Sequence, residues 1–373
     1  MKQLLQALAF LLCVAGSSVA NPSTGAEFAV PGISAQQPQM AAAPDGTLYL
    51  VYGAGHTIYC VVSNDGGKSF GPPAVLESGG MLMLGRHRGP RVAATNDAVT
   101  ITAVAGKRGG GQDGNLLAWR SADHGKTWGQ PVVLNDVTDA AREGLHGLAA
   151  GPGNLLFAVW LDLRKDDSSD GGTKLYGTIS KDGGQSWGKN QRVYASPEGT
   201  ICQCCHPSVT IDAKGILHVM WRNALNGARD LYYAASIDGG KTFAPVQKLG
   251  RGTWLLNACP MDGGEMTSAE NGQIDSVWRR QEEIFAASPG KEEKALGKGR
   301  NPVIAYGRNG PYIAWDDAEV KQAVLLSPGT SKPVPLGTQS QFVDLATSSA
   351  GKVVAAWEET RGEQKVVRVQ VLD

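Results

Sequence analysis

Apolar positions along this chain fall in short runs separated by glycine-rich polar stretches. TLYLVYG (47–53), VTITAVAG (99–106), LLFAVWLD (155–162), ILHVMWRN (216–223), QIDSVWRR (273–280), PYIAWDD (311–317) and KVVAAWEE (352–359) are runs of this kind. They are rich in β-branched and aromatic residues, too short for helices, and bounded by turn formers, which predicts strands. A second short apolar segment precedes each one: QPQMAAAP, GPRVAATN, GLHGLAAG, HPSVTIDA, CPMDGGEM, NPVIAYGR and QFVDLATS. Helix-period faces are scarce. The chain reads as all-β, built from repeated strand groups.

A second pattern sits between these groups. SNDGGKSF (63–70), SADHGKTW (121–128), SKDGGQSW (180–187) and SIDGGKTF (236–243) share one form. Their aspartates are Asp65, Asp123, Asp182 and Asp238, at intervals of 58, 59 and 56 residues. A fixed period of this size marks a repeat architecture. The chemistry is that of a turn: the aspartate accepts turn amides, glycine takes positive φ, and the closing aromatic anchors the loop.

This pattern resembles the Asp box of the sialidase-like (BNR repeat) β-propeller family. The resemblance implies a single β-propeller of four-stranded blades, with the boxes on the face away from the site, so that the four aspartates are structural. The copies favour seven blades, with six, as in catalytic sialidases, the alternative. The seventh module has no outer strand after QKVVRVQVL, and AEFAV (26–30) is expected to supply it, closing the ring and removing a free edge. The polar stretch 288–301 is expected to be a blade-edge connection.

The N-terminus changes the setting. Lys2, the apolar stretch Leu4 to Ala15, and the small-x-small Ser18-Val19-Ala20 predict a signal peptide over residues 1–20, with a propeller domain over 21–373 and a periplasmic or secreted location. Cys13 would be lost with the leader. The 35 basic and 35 acidic residues balance, which gives no footprint for nucleic acid. Later stretches are too short to predict a membrane span.

In a propeller, equivalent positions of successive repeats converge at one mouth. Blade entries bring Arg86, His87, Arg88, Arg91, Arg142, Glu143, His146, Cys202, Cys204, Cys205, His206, Cys259, Met261, Asp262, Arg300 and Asn301. The ends of the second strands add His56, Asp162, Arg164, Arg222, Asn223, Arg229, Asp230, Arg279 and Arg280. The resemblance implies a glycan or other small anionic ligand, bound or hydrolysed there. If the chain is an enzyme, it implies an exo-α-sialidase, with Arg88, Arg222 and Arg279 clamping a carboxylate and Glu143 as partner carboxylate. His87, Arg142, His146, Arg229, Arg280 and Asp262 complete that expected ligand set. The chain departs from the family in having QQPQM where an Arg-Ile-Pro segment opens the first blade, and no motif marks the tyrosine nucleophile.

The densest cysteine cluster is ICQCCHPSV (201–209), which holds three of six cysteines. Cys202, Cys204, Cys205, His206, Cys259 and Met261 enter from adjacent modules, and thiolate, thioether and imidazole suit copper or zinc. A non-enzymatic soft-metal propeller is therefore an alternative function, and a protein-interaction platform is another. Disulfides among these cysteines, such as Cys204 or Cys205 to Cys259, are the competing reading in an oxidising compartment, and redox catalysis is a third. Cys60 reads as a buried free thiol. The loop 106–115 lacks the following helix of a phosphate loop, and 165–172 lacks the spacing of a calcium loop.

Overall fold

The computed structural model describes residues 25–165 and 172–372. The leader, Cys13 and most of the 165–172 loop lie outside the described residues. Among the described residues there is no helix long and apolar enough to cross a membrane.

The described chain is strands and turns, all of its sheets antiparallel. The first sheet pairs Gln36–Ala42, Leu48–Ala54, Thr57–Ser63 and Ala74–Glu77 in chain order. The same meander recurs from Arg91–Ala94, His146–Ala150, Ser208–Ile211 and Glu265–Ser268. Residues 288–293 of the 288–301 stretch form a turn at the blade edge, and the rest is strand. Lys294–Gly307 is one continuous strand that ends the fifth meander by pairing with Glu283–Ala287 and begins the sixth by pairing with Gly310–Asp317. The last meander, from Ser340–Thr347, is completed by the N-terminus: Glu27 and Phe28 pair with Arg368 and Val367. Phe28 packs edge-on against Phe70, centroids 5.3 Å apart, and so ties this strand to the first meander.

The innermost strands touch their neighbours in order, and Ser340–Thr347 touches Gln36–Ala42. Polar side chains stitch this inner ring across blades. Gln39 Oε1 accepts the Val92 amide at 2.6 Å, Ser208 Oγ the Met266 amide at 3.1 Å, Glu265 Oε2 the Ile304 amide at 3.1 Å, and Asp344 Oδ2 the Met40 amide at 2.7 Å. The last bond joins the final module to the first. The apolar core lies between sheets, each cluster joining two successive meanders. Trp160, Trp221, Trp315 and Trp357 occupy equivalent second-strand positions and fill these layers.

The aspartates of the repeated turns do structural work. Ser180 Oγ accepts the Gly184 amide at 2.8 Å and donates to Asp182 Oδ1 at 2.7 Å, while Asp182 also accepts the Ser186 amide at 2.9 Å. Hydrogen bonds from the Ser186 hydroxyl and amide pull the Asp182 carboxyl down to about 2. Gly184 has φ +85°, and a Cβ there would lie 2.4 Å from Thr100 Oγ1, so the turn requires glycine. Each box follows the third strand of its meander. Strand direction alternates, so the boxes lie at the end opposite the start of the inner strands.

Candidate functional site

The start of each inner strand faces the central axis, and the backbone there is bent. Register shifts interrupt the pairing between Gln36 and Gln39, Arg300 and Val303, and Gln341 and Asp344. Each bulge holds a non-glycine residue in the left-handed region: Gln37 (φ +54°), Asn301 (+55°) and Phe342 (+51°). His87 (+66°) and Met261 (+60°) adopt it at two other blade entries. A side chain in this region costs on the order of 1–2 kcal/mol, so repeated use marks a constrained surface.

Beneath the bulges is a narrow channel cavity of about 100 Å³, lined by His87, Arg91, His206, Glu265, Phe342 and Asp344 among others. His87 stacks on His206 with ring centroids 4.1 Å apart. Burial drives both imidazoles down, His206 well below its ordinary value, so they pack as neutral rings. Burial pushes the Glu265 and Asp344 carboxyls up, and their mutual repulsion adds to this at Glu265; Arg91 and backbone amides oppose it.

Above it opens a larger cavity of about 620 Å³. Its charged lining is Arg86, Arg279, Arg300, Lys321, Asp262, Asp316 and Asp317, and Trp254 and Phe342 supply aromatic surface. Asn301 joins its two inner carboxylates. The Asn301 amide donates to Asp262 Oδ2 at 3.0 Å, and its Nδ2 donates to Asp316 Oδ2 at 2.6 Å. Its Oδ1 meets His87 Nε2 at 2.7 Å, with the imidazole N–H as donor. Burial pushes Asp316 up to about 7, against the pull of the Asn301 and Phe342 donors. Asp262 pairs with Arg279 Nε at 2.9 Å, and its Oδ1 is buried with no hydrogen-bond partner.

The expected ligand set is divided. Arg222 is fully buried and gives Nε to the Asp262 carbonyl at 2.9 Å, Nη2 to the Arg279 carbonyl at 2.9 Å, and Nη1 to the Arg229 carbonyl. Arg279 gives Nη2 to the Pro260 carbonyl at 2.8 Å as well as pairing with Asp262. These two guanidiniums brace neighbouring blade ends and stack near Trp254, 5.4 and 5.1 Å from its ring. Arg88 turns to Glu143, 3.6 Å away, and is not among the residues lining the cavity with Arg279. The three arginines therefore do not present a shared carboxylate clamp.

His146 is buried against the Thr102 hydroxyl at 3.1 Å. Arg280 pairs with Glu293 at 2.7 Å and lies over the Phe285 ring. Arg229 donates to the Ala228 carbonyl, and Arg142 is half-buried; neither lines the large cavity. No tyrosine is among the lining residues. Asp316, Lys321, Trp254 and Phe342 escaped the sequence reading. Asp316 ends the second strand of its module, the position that singled out Asp162 and Arg279, so that positional signal was present.

The cysteines divide too. Cys202, Cys204 and Cys205 converge, while Cys259 is exposed and lines the large cavity. His206 faces the channel. Burial opposes ionisation of Cys205, but thiol bonds from Cys202 and Cys204, the Arg222 charge and the Asp262 amide hold it well below the usual thiol range. Cys60 is buried, and its thiol is pushed up to about 12.

Residues 90–255 match the family model of the BNR repeat-like domain. The chain thus carries a BNR repeat-like segment within a β-propeller fold. No curated protein matches it. Among solved structures it is similar to a Penicillium chrysogenum α-L-arabinanase complexed with arabinobiose, at 16% identity and TM-score 0.58, covering 94% of this chain and 98% of that one. A Fusarium graminearum α-L-arabinofuranosidase is similar at 14% identity and TM-score 0.53, over 94% and 96% of the two chains. A Hadza microbial sialidase follows at 15% identity and TM-score 0.51, over 91% of this propeller chain and 66% of the sialidase.

Proposed function

We propose that this protein binds an anionic saccharide in the 620 Å³ cavity at the propeller mouth, outside the cytoplasm. The observation that carries the reading is the charge left over in that cavity. Arg279 is taken by Asp262, and burial holds a proton on Asp316 up to about neutral pH. That leaves Arg86, Arg300 and Lys321 facing Asp317, an excess of positive charge beside the aromatic surface of Trp254 and Phe342. Guanidinium groups match carboxylates, and sugar faces pack on aromatic rings. The similar folds named as an arabinanase, an arabinofuranosidase and a sialidase support a saccharide as the ligand class.

For cleavage, Asp316 is the group equipped to act as general acid. A carboxyl that keeps its proton near neutral pH can pass it to a glycosidic oxygen as the C–O bond breaks. Calorimetric titration with sialyllactose, an oligogalacturonate and arabino-oligosaccharides tests binding, and fluorogenic glycosides of the same sugars test turnover. An acidic sugar should bind, and Arg86→Ala with Arg300→Ala should weaken it at least tenfold. Asp316→Asn should remove any turnover while sparing binding. Equal affinity for acidic and neutral sugars, or none for either, overturns the reading.

A further inference from the structure

The cysteines of ICQCCHPSV have no part in that reading, yet they form the tightest group of soft donor atoms among the described residues. The Cys202 sulfur lies 3.5 Å from that of Cys204 and 3.4 Å from that of Cys205, and Cys204 and Cys205 are 3.9 Å apart. All three are buried. A disulfide needs about 2.05 Å. A metal-centred group with ~2.3 Å metal–sulfur bonds instead sets its sulfurs roughly 3.8–4.0 Å apart. One side of the observed triangle, 3.9 Å, falls in that range, and the sides of 3.5 and 3.4 Å lie roughly half an ångström below it, far from disulfide bonding.

The surroundings also suit an ion. Met261 packs directly against the three cysteines, held there by its left-handed backbone (φ +60°). The Asp262 amide points at Cys205 Sγ from 3.4 Å, the kind of outer bond that steadies a metal-bound thiolate. Arg222, fixed by its three carbonyls, places a positive charge nearby. Met261 also lines the mouth cavity, which gives an ion a route in.

From this we infer a Cu(I) site formed by Cys202, Cys204 and Cys205, with the Met261 thioether as its fourth donor. The donor set decides the metal. Zinc takes a fourth nitrogen, oxygen or thiolate ligand. His206 is turned to stack on His87, and Cys259 is exposed outside the triangle. Three thiolates and a thioether are a soft set that selects Cu(I). The site spans the entries of the fourth and fifth blades, and its existence does not depend on what the cavity binds.

The test is anaerobic titration of the reduced full-length protein with Cu(I) presented by a chromogenic chelator, and with Zn(II) in competition. One Cu(I) per chain should transfer, and X-ray absorption should show a first shell of sulfur only. Met261→Leu should weaken Cu(I) at least tenfold, and Cys204→Ser should abolish stoichiometric uptake. Cys259→Ser and Cys60→Ser should leave it unchanged. Thermal unfolding of each metal-free variant identifies those that remain folded, and Met261→Leu carries the test if Cys204→Ser does not. No uptake by the folded reduced protein, retention in Cys204→Ser, or displacement by equimolar zinc each overturns the site.

Discussion

Replacing Arg222 with alanine separates two roles that one arginine at a propeller mouth can play. Its side chain is fully buried, and all three kinds of guanidinium nitrogen donate to carbonyls, those of Asp262, Arg279 and Arg229. Truncation strands three buried acceptors. At about 1–3 kcal/mol for each unsatisfied group, with some relief from entering water, the loss should be about 4 kcal/mol. Arg222→Lys keeps the charge but cannot fork to three carbonyls, and should lose about half as much. Arg300 is exposed and lines the same cavity, so Arg300→Ala should leave stability within about 0.5 kcal/mol. The assay is equilibrium urea unfolding, reading the midpoint at constant slope. The bracing role is refuted if Arg222→Ala costs under about 1 kcal/mol while removing ligand binding; that pattern would belong to a clamp.

Three further outcomes follow from the packing. Asp182→Ala removes the acceptor for the Ser186 amide and hydroxyl, and should cost about 2 kcal/mol in urea unfolding without altering affinity at the opposite face. The folded state holds a proton on Asp344 above the ordinary carboxylate range, so its contribution is complete below about pH 4 and is lost as pH rises towards neutrality. Asp344→Asn stays neutral and still accepts the Met40 amide, so its unfolding midpoint should fall less from pH 5 to pH 8 than that of the wild type. Removing residues up to Val30 takes away the strand paired with Val367 and Arg368, and light scattering should then show self-association through the uncovered edge.

Much of the fold was legible because its signals are local and repeated. Strand runs, turn chemistry and a fixed period need no knowledge of distant contacts, and AEFAV could be matched to a module short of one strand. The site was less legible. Repeat position brought Asp262, Asn301 and Arg279 to one mouth, but not the direction of their donors. Arg222 reads as a ligand group in sequence and is a brace in space, because carbonyls of three other segments surround it. The bulges at Gln37, Asn301 and Phe342 have no glycine to announce them, and the polar 294–301 stretch conceals a strand whose pairing comes from both sides. The cysteines needed coordinates for the same reason: spacing placed Cys259 within reach, and the fold turned it outward.

That shared strand, Lys294–Gly307, has a mechanical meaning. Most successive blades meet through a loop that can absorb relative movement. Here a single rod runs from the rim of one blade to the hub of the next, bulged once against Glu283–Ala287 and again beside Asn301, the soft joint at its hub end. Asn301 also touches both inner carboxylates of the mouth. A ligand that tightens this joint would stiffen two blades together, and the slowing of amide exchange should extend well beyond its own footprint, along Glu283–Ala287 on one side and Gly310–Asp317 on the other.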